Sequence, residues 1–120
     1  GKELLCAVIA GIDSMTRIAL AAPKTLDNGY NPAVYAGFGA AVTAAKIRNI
    51  DAEIMRHALG ITFAQAAASM QAASDGALVK RLQPCFNVSS GMRALELARV
   101  GITGIGNILE GQFGVGPLFN

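Results

Sequence analysis

Asn31-Pro32-Ala33-Val34-Tyr35-Ala36-Gly37-Phe38-Gly39-Ala40-Ala41-Val42-Thr43-Ala44-Ala45-Lys46-Ile47-Arg48 carries no charge before Lys46 and only one proline, at its second position. Asn can accept a backbone N–H at a helix cap, and Pro is tolerated at the first helical position, where its missing N–H would have no partner anyway. The stretch therefore predicts a helix from Asn31-Pro32 to about Arg48. Gly37, Gly39, Ala40, Ala41, Ala44 and Ala45 add little bulk, so neighbouring helices can approach closely and gain dispersion contacts along the backbone. Such a helix belongs at the centre of an all-α helical bundle.

Upstream, Lys24 to Tyr30 contains Asp27-Asn28-Gly29, a turn signal. Before it, Leu5, Val8, Ile9, Ile12, Met15 and Ala19 recur at helical spacing until Pro23, which predicts a first helix from about Glu3 to Ala22. Downstream, Asp51 is a cap for a third helix through Ile54, Ala58, Ile61 and Ala66, continuing along the Ala-rich run to Ala73 and ending at Ser74-Asp75-Gly76. A turn through Leu78, Val79 and Lys80 leads to Pro84. Ser89 or Ser90 then caps a helix through Leu95, Leu97 and Val100, with Gly101 as its stop. A last short helix is expected over Ile105 to Glu110, followed by an irregular glycine-rich end. No strand pattern remains, and helices joined by short loops give antiparallel neighbours in a single helical domain over residues 1–120.

Of the 120 residues, 52% are hydrophobic and only 15% charged. That polar share is low for a lone soluble domain, so some surface is expected to meet another chain segment, and a homo-oligomer is expected. The opening without Met and the apolar close suggest a fragment of a longer chain. A net charge of +2 with scattered Lys and Arg argues against nucleic acid as a partner. The charge-free stretches carry Asn, Pro, Gln, Ser and Thr, which suits buried helices better than a membrane. Cys6 and Cys85 lie far apart beside a single His, which suggests neither a disulfide framework nor a zinc site. Reduced thiols and the absence of a readable signal peptide point to the cytoplasm.

Four features could carry chemistry. His57, the one imidazole, reads as a solvated helix residue before a catalytic one. The glycines from Gly101 to Gly106 and Gly111 to Gly116 lack the preceding strand that a phosphate-cradling loop needs, so they read as caps and turns. Cys85 near a helix start could be reactive, but a small buried residue is the simpler account. Lys80 and Arg81, adjacent cations in an apolar loop just before a helix, make a place suited to an anion, and a partly desolvated Lys can also serve as a base. Two solvated loop charges are the alternative.

Gly76-Ala77-Leu78-Val79-Lys80-Arg81-Leu82-Gln83-Pro84, Ser90-Gly91-Met92-Arg93-Ala94-Leu95-Glu96-Leu97-Ala98-Arg99, Gly101-Ile102-Thr103-Gly104 and Ile108-Leu109-Glu110-Gly111 together resemble the MmgE/PrpD family. In that family a Lys-x-Leu-His-Pro-Gly segment precedes a helix ending in Gly-Phe-Thr-Gly, followed by Leu-Glu-Gly. Gly29-Tyr30-Asn31-Pro32 and Phe38-Gly39-Ala40-Ala41 are similar to its Gly-Phe-His-Pro-Thr and Phe-Gly-Ala-Ala segments. The resemblance covers nearly the whole chain. It implies part of a large helical domain whose smaller lid domain closes over a cleft. It also implies cofactor-independent lyase or isomerase chemistry on small di- or tricarboxylates, as in 2-methylcitrate dehydratase, cis-aconitate decarboxylase and iminodisuccinate epimerase, with no metal or organic cofactor.

On that resemblance Lys80 is the catalytic residue, and Tyr30, Asn31, Gln83 and Arg81 are its substrate-binding neighbours. Asn31 and Gln83 stand where the family has His, and Cys85 where it has Gly. Neither amide exchanges protons near neutrality, so both can bind but not act as a base. This departure makes a catalytically silent homologue or helical interaction module the competing expectation. The enzyme expectation requires Lys80, Asn31 and Gln83 to converge on one concavity.

Overall fold

The computed structural model describes every residue from Gly1 to Asn120 and is built from helices alone. These are α1 (Lys2–Leu20), α2 (Ala36–Ile47), α3 (Ala52–Ala64), α4 (Gln71–Ser74), α5 (Gln83–Arg99) and α6 (Val115–Phe119), with 3-10 turns at Pro32–Tyr35 and Leu78–Arg81. The all-α expectation holds. Helix α2 is central, as its small residues require, and packs against α1, α3 and α5.

Glycine makes two of those contacts close. A Cβ on Gly91 of α5 would collide with the Gly37 carbonyl of α2, and one on Gly11 of α1 would collide with Thr43 of α2. Two apolar clusters result. One gathers Tyr35, Phe38, Val115 and Phe119, while the other joins Ala45 of α2, Ala58 and Ile61 of α3, and Leu95 of α5.

The expected caps are in place. Asn31 Oδ1 accepts from the Ala33 N–H at 2.9 Å, and Asp51 Oδ1 accepts from the Ile54 N–H at 2.9 Å. Helix α5 ends ahead of Gly101, whose φ of 93° is a conformation glycine adopts without the Cβ penalty.

Three segment expectations are corrected. Helix α3 stops at Ala64, and the Ala-rich run does not continue it. The Ala68 carbonyl accepts from the Asn31 N–H at 2.7 Å, the Met70 N–H donates to the Gly29 carbonyl at 2.8 Å, and Tyr30 and Ser69 form an isolated antiparallel bridge. These long-range bonds outweigh alanine's helix preference, which is worth only tenths of a kcal/mol per residue. Helix α5 starts at Gln83 rather than at Ser89 or Ser90, because Pro84 falls in the first turn where it is tolerated. Residues 105–107 are irregular and 108–110 form a turn, and the last helix lies instead at Val115–Phe119, where burial of Val115 and Phe119 outweighs the glycine content around them.

The first helix lies where its spacing predicts, but much of its apolar stripe is uncovered. Ala7 and Gly11 are buried against α2, whereas Leu5 is 63% exposed and Ile9 is 66% exposed. No helix is long and apolar enough to cross a membrane.

Candidate functional site

Lys80 and Arg81 sit on the 3-10 turn that connects the Ala77 region to α5. Gly76, with φ of 65°, ends the short α4 and reverses the chain. The Lys80 N–H then donates to the Ala77 carbonyl at 3.1 Å and the Leu82 N–H to the Val79 carbonyl at 2.9 Å, which fixes the turn. Both side chains line a cavity of about 270 Å³ with Ala72, Ala73 and Gly76. Neither cation forms an ion pair, since the chain's salt bridges all lie elsewhere. Both residues are exposed, as two solvated loop charges would be, and an unpaired Lys–Arg couple of this kind attracts anions.

Gln83 is one turn further on and is buried. Its Nε2 donates to the Ser69 carbonyl at 2.8 Å, while its Oε1 is buried without a partner. It lines a different cavity, of about 330 Å³, between α5 and residues 65–69.

Tyr30 packs edge-on against Phe119, with ring centroids 5.1 Å apart. Asn31 spends its side-chain oxygen on the cap described above. Tyr30, Asn31 and Gln83 thus meet at one strip of backbone, Ala67 to Met70. Tyr30 pairs with Ser69, Asn31 donates its N–H to Ala68, and Gln83 holds Ser69. Lys80 and Arg81 border a separate concavity, and neither of the two cavities is lined by Tyr30 or Asn31. Within this chain Tyr30, Asn31 and Gln83 therefore gather around one segment while Lys80 and Arg81 border another concavity, so the expected convergence of Lys80, Asn31 and Gln83 on one concavity is not met.

Two other expectations change. Cys85 is exposed, not a small buried residue, because α5 begins earlier and turns its side chain outward. His57 is not solvated, its side chain being only 18% exposed. His57 Nδ1 accepts from the Gly104 N–H at 3.1 Å, which leaves the ring proton on Nε2, 3.3 Å from Glu53 Oε1. This imidazole ties α3 to the loop after α5 and has a structural use. No group of three or more His, Cys, Asp or Glu is arranged to hold a metal ion.

Sequence reasoning overlooked a polar stripe on α5. Gln83, Asn87, Ser90 and Arg93 recur at helical spacing and all line the larger cavity. The spacing was visible, but a helix beginning at Ser89 or Ser90 cuts it in two. Asn87 is fully committed, with Nδ2 donating to the Ala67 carbonyl at 2.7 Å and to the Gln83 carbonyl at 3.0 Å.

A family model described as the MmgE/PrpD N-terminal domain matches residues 1–119. The chain is 32% identical over 117 residues to a cis-aconitate decarboxylase of Aspergillus terreus, and 28% identical over 117 residues to a cis-aconitate decarboxylase-like protein of Aspergillus oryzae. Both alignments cover 95% of this chain, which spans 24% of the length of each of these relatives.

Proposed function

The chain belongs to the MmgE/PrpD family, and on that basis we propose that it forms part of a lyase or isomerase that moves a proton on a carbon next to a carboxylate of a small di- or tricarboxylate. The observation that carries this reading is the unpaired pair Lys80 and Arg81 beside a cavity, with Lys80 at the position of the family's lysine. The relatives named as cis-aconitate decarboxylases support a decarboxylase- or dehydratase-type reaction over other chemistries.

The division of labour follows from side-chain chemistry. Arg81 can grip a carboxylate through two parallel N–H bonds. Lys80 can steady the charge that spreads onto the carboxylate when a proton moves at the adjacent carbon. Asn31 and Gln83 replace imidazoles and cannot exchange protons near neutrality, so proton movement falls to Lys80 and to residues outside this stretch of chain. A lid domain outside this stretch of chain would close the cavity and exclude water. The free, exposed thiols of Cys6 and Cys85 fit a reducing cytoplasm.

A second reading, a catalytically silent homologue that serves as a packing module, is favoured by one observation. An almost wholly apolar groove of about 460 Å³ runs between α1, α2 and α5, lined by Val8, Ile12, Met15, Ile47, Val88 and Met92. A second subunit or the lid domain would cover it.

Proton exchange separates the two readings. The full-length protein is incubated in D₂O with a panel of di- and tricarboxylates, and deuterium uptake is followed by NMR. Exchange with at least one acid, lowered by roughly a hundredfold or more in Lys80→Ala, is the expected result. No exchange with any of them would replace the enzymatic reading with the packing module.

A further inference from the structure

We propose that His57 is a pH-sensitive latch, and that a second proton on its imidazole releases the loop after α5 from α3. The bond from the Gly104 N–H to His57 Nδ1 is the one hydrogen bond that residues 103–107 make within the protein. The rest of the contact is close packing. A Cβ on Gly104 would collide with the His57 carbonyl, and one on Gly60 with the backbone of Ile105, so the loop lies directly on the α3 backbone. Dispersion weakens steeply over a gap of an ångström or less, so this packing holds only while the hydrogen bond keeps the loop seated.

The two ring nitrogens are committed differently. Nδ1 accepts from Gly104, while Nε2 lies 3.3 Å from Glu53 Oε1 and 3.3 Å from Arg56 Nη2. With the first proton on Nε2, a second has only Nδ1 to go to. There it turns an acceptor into a donor facing the Gly104 N–H, so the bond is lost and the amide must turn to water. Histidine is the side chain whose charge changes near neutrality. Glu53 is the one carboxylate paired with the ring, and Arg56 beside it holds that carboxyl below its usual range. Glu53 therefore stays ionised while the ring titrates and gives the imidazolium a partner. Arg56 opposes the new charge, but its Nη2 is tied to Glu53 at 2.7 Å. On the loop side no residue from Gly101 to Asn107 is ionisable, and the next one, Glu110, lines the cavity beside Arg56. On α5, Glu96 and Arg99 pair with each other and with Arg48 of α2, and Arg93 with Gln65, none with the ring. What the latch controls is the wall of a cavity. Residues 106–110 face Met55, Arg56 and Leu59 across about 640 Å³, so release of residues 103–107 frees that wall where it meets α3. The latch uses neither Lys80 nor Arg81, so it stands whether or not they serve a reaction.

Hydrogen exchange on the full-length protein, resolved to single amides by mass spectrometry and referred at each pH to the unstructured chain, tests this. Protection of the Gly104 amide should fall by about fivefold or more between pH 7.5 and pH 5.5, as one hydrogen bond is lost. The Ile102 amide, bonded to the Leu97 carbonyl at 3.0 Å, should keep its protection. His57→Asn retains an acceptor oxygen near the position of Nδ1 but takes up no proton, so its Gly104 protection should be flat over the same range. Glu53→Gln, at a side chain 68% exposed, should move the fall to lower pH, because the imidazolium loses its partner. Equal Gly104 protection at both pH values in the wild type overturns the proposal, as does a fall shared equally by Ile102 or one that persists in His57→Asn. Should His57→Asn fail to fold, a fall at unchanged pH in Glu53→Gln overturns it as well.

Discussion

Single residues make their largest contributions where a polar group is buried. Tyr35 Oη lies 2.6 Å from Thr25 Oγ1, and that hydroxyl in turn donates to the Ala22 carbonyl at 2.7 Å. Burial pushes the phenol above its ordinary pKa. A group whose folded value is raised contributes stability that is whole below its unfolded pKa, about 10 for tyrosine, and that is lost as pH rises from there through the folded value. Urea unfolding at pH 8 and pH 11 should therefore show a fall at the higher pH that is smaller in Tyr35→Phe. At pH 8 the same variant should be less stable by about 1 kcal/mol, the worth of one buried hydrogen bond. An equal fall in both proteins would remove Tyr35 from the account. None of this was legible in the sequence, since Thr25 and Tyr35 meet only when the loop after α1 folds under the turn that precedes α2.

Among elements, the α2–α5 contact decides how tightly the bundle closes. Ala in place of Gly91 would gain about 1 kcal/mol as a better helix former, but its Cβ meets the Gly37 carbonyl, which is backbone and cannot swing away. Overpacking of this kind costs typically 1–3 kcal/mol and more where the backbone must shift, so the steric cost wins. Gly91→Ala should lower stability by about 2 kcal/mol in urea unfolding, and an unchanged midpoint would mean that the two helices do not touch there. The small residues of α2 announced a close neighbour in the sequence. Their partner does not show in the sequence, because a helix capped at Ser89 or Ser90 leaves Gly91 at its very start rather than along its length. The same offset in the helix start hides the stripe from Gln83 to Arg93. A proline reads equally well as the residue before a helix or as part of its first turn, and Pro84 lies in the first turn.

For the whole molecule, the outstanding feature is how much apolar surface α1 leaves open. Only 27 of the 120 residues are buried, while Val8, Ile12, Ile47, Val88 and Met92 line an open groove. Exposed apolar area of this kind is costly in water and is commonly covered by a partner surface. Val8→Lys combined with Met92→Lys should lower the unfolding free energy by no more than about 1–2 kcal/mol, because both residues are about two-fifths exposed and a Lys can reach water from there. In light scattering on the full-length protein, the same double variant should be more monomeric than the wild type. An unchanged mass would remove a second subunit as the groove's cover.

Taken alone, the sequence determined the helical class, the central position of α2, the caps at Asn31 and Asp51, the stop at Gly101 and the family resemblance. Each rests on local geometry or on order along the chain. A cap needs only a residue two or three positions away, and a small-residue face is a property of one helix. Tertiary structure decided the rest. Ala66 to Met70 leaves the helical state because Gly29 and Asn31 offer it backbone partners far along the chain, and those same bonds bring Tyr30, Asn31 and Gln83 to one strip. The separation of the Lys80–Arg81 cavity from the Gln83–Ser90–Arg93 cavity likewise depends on where α5 begins and what it packs against. Whether a polar side chain is satisfied or left unpaired is a question of three-dimensional neighbours, and no spacing in the sequence contains the answer.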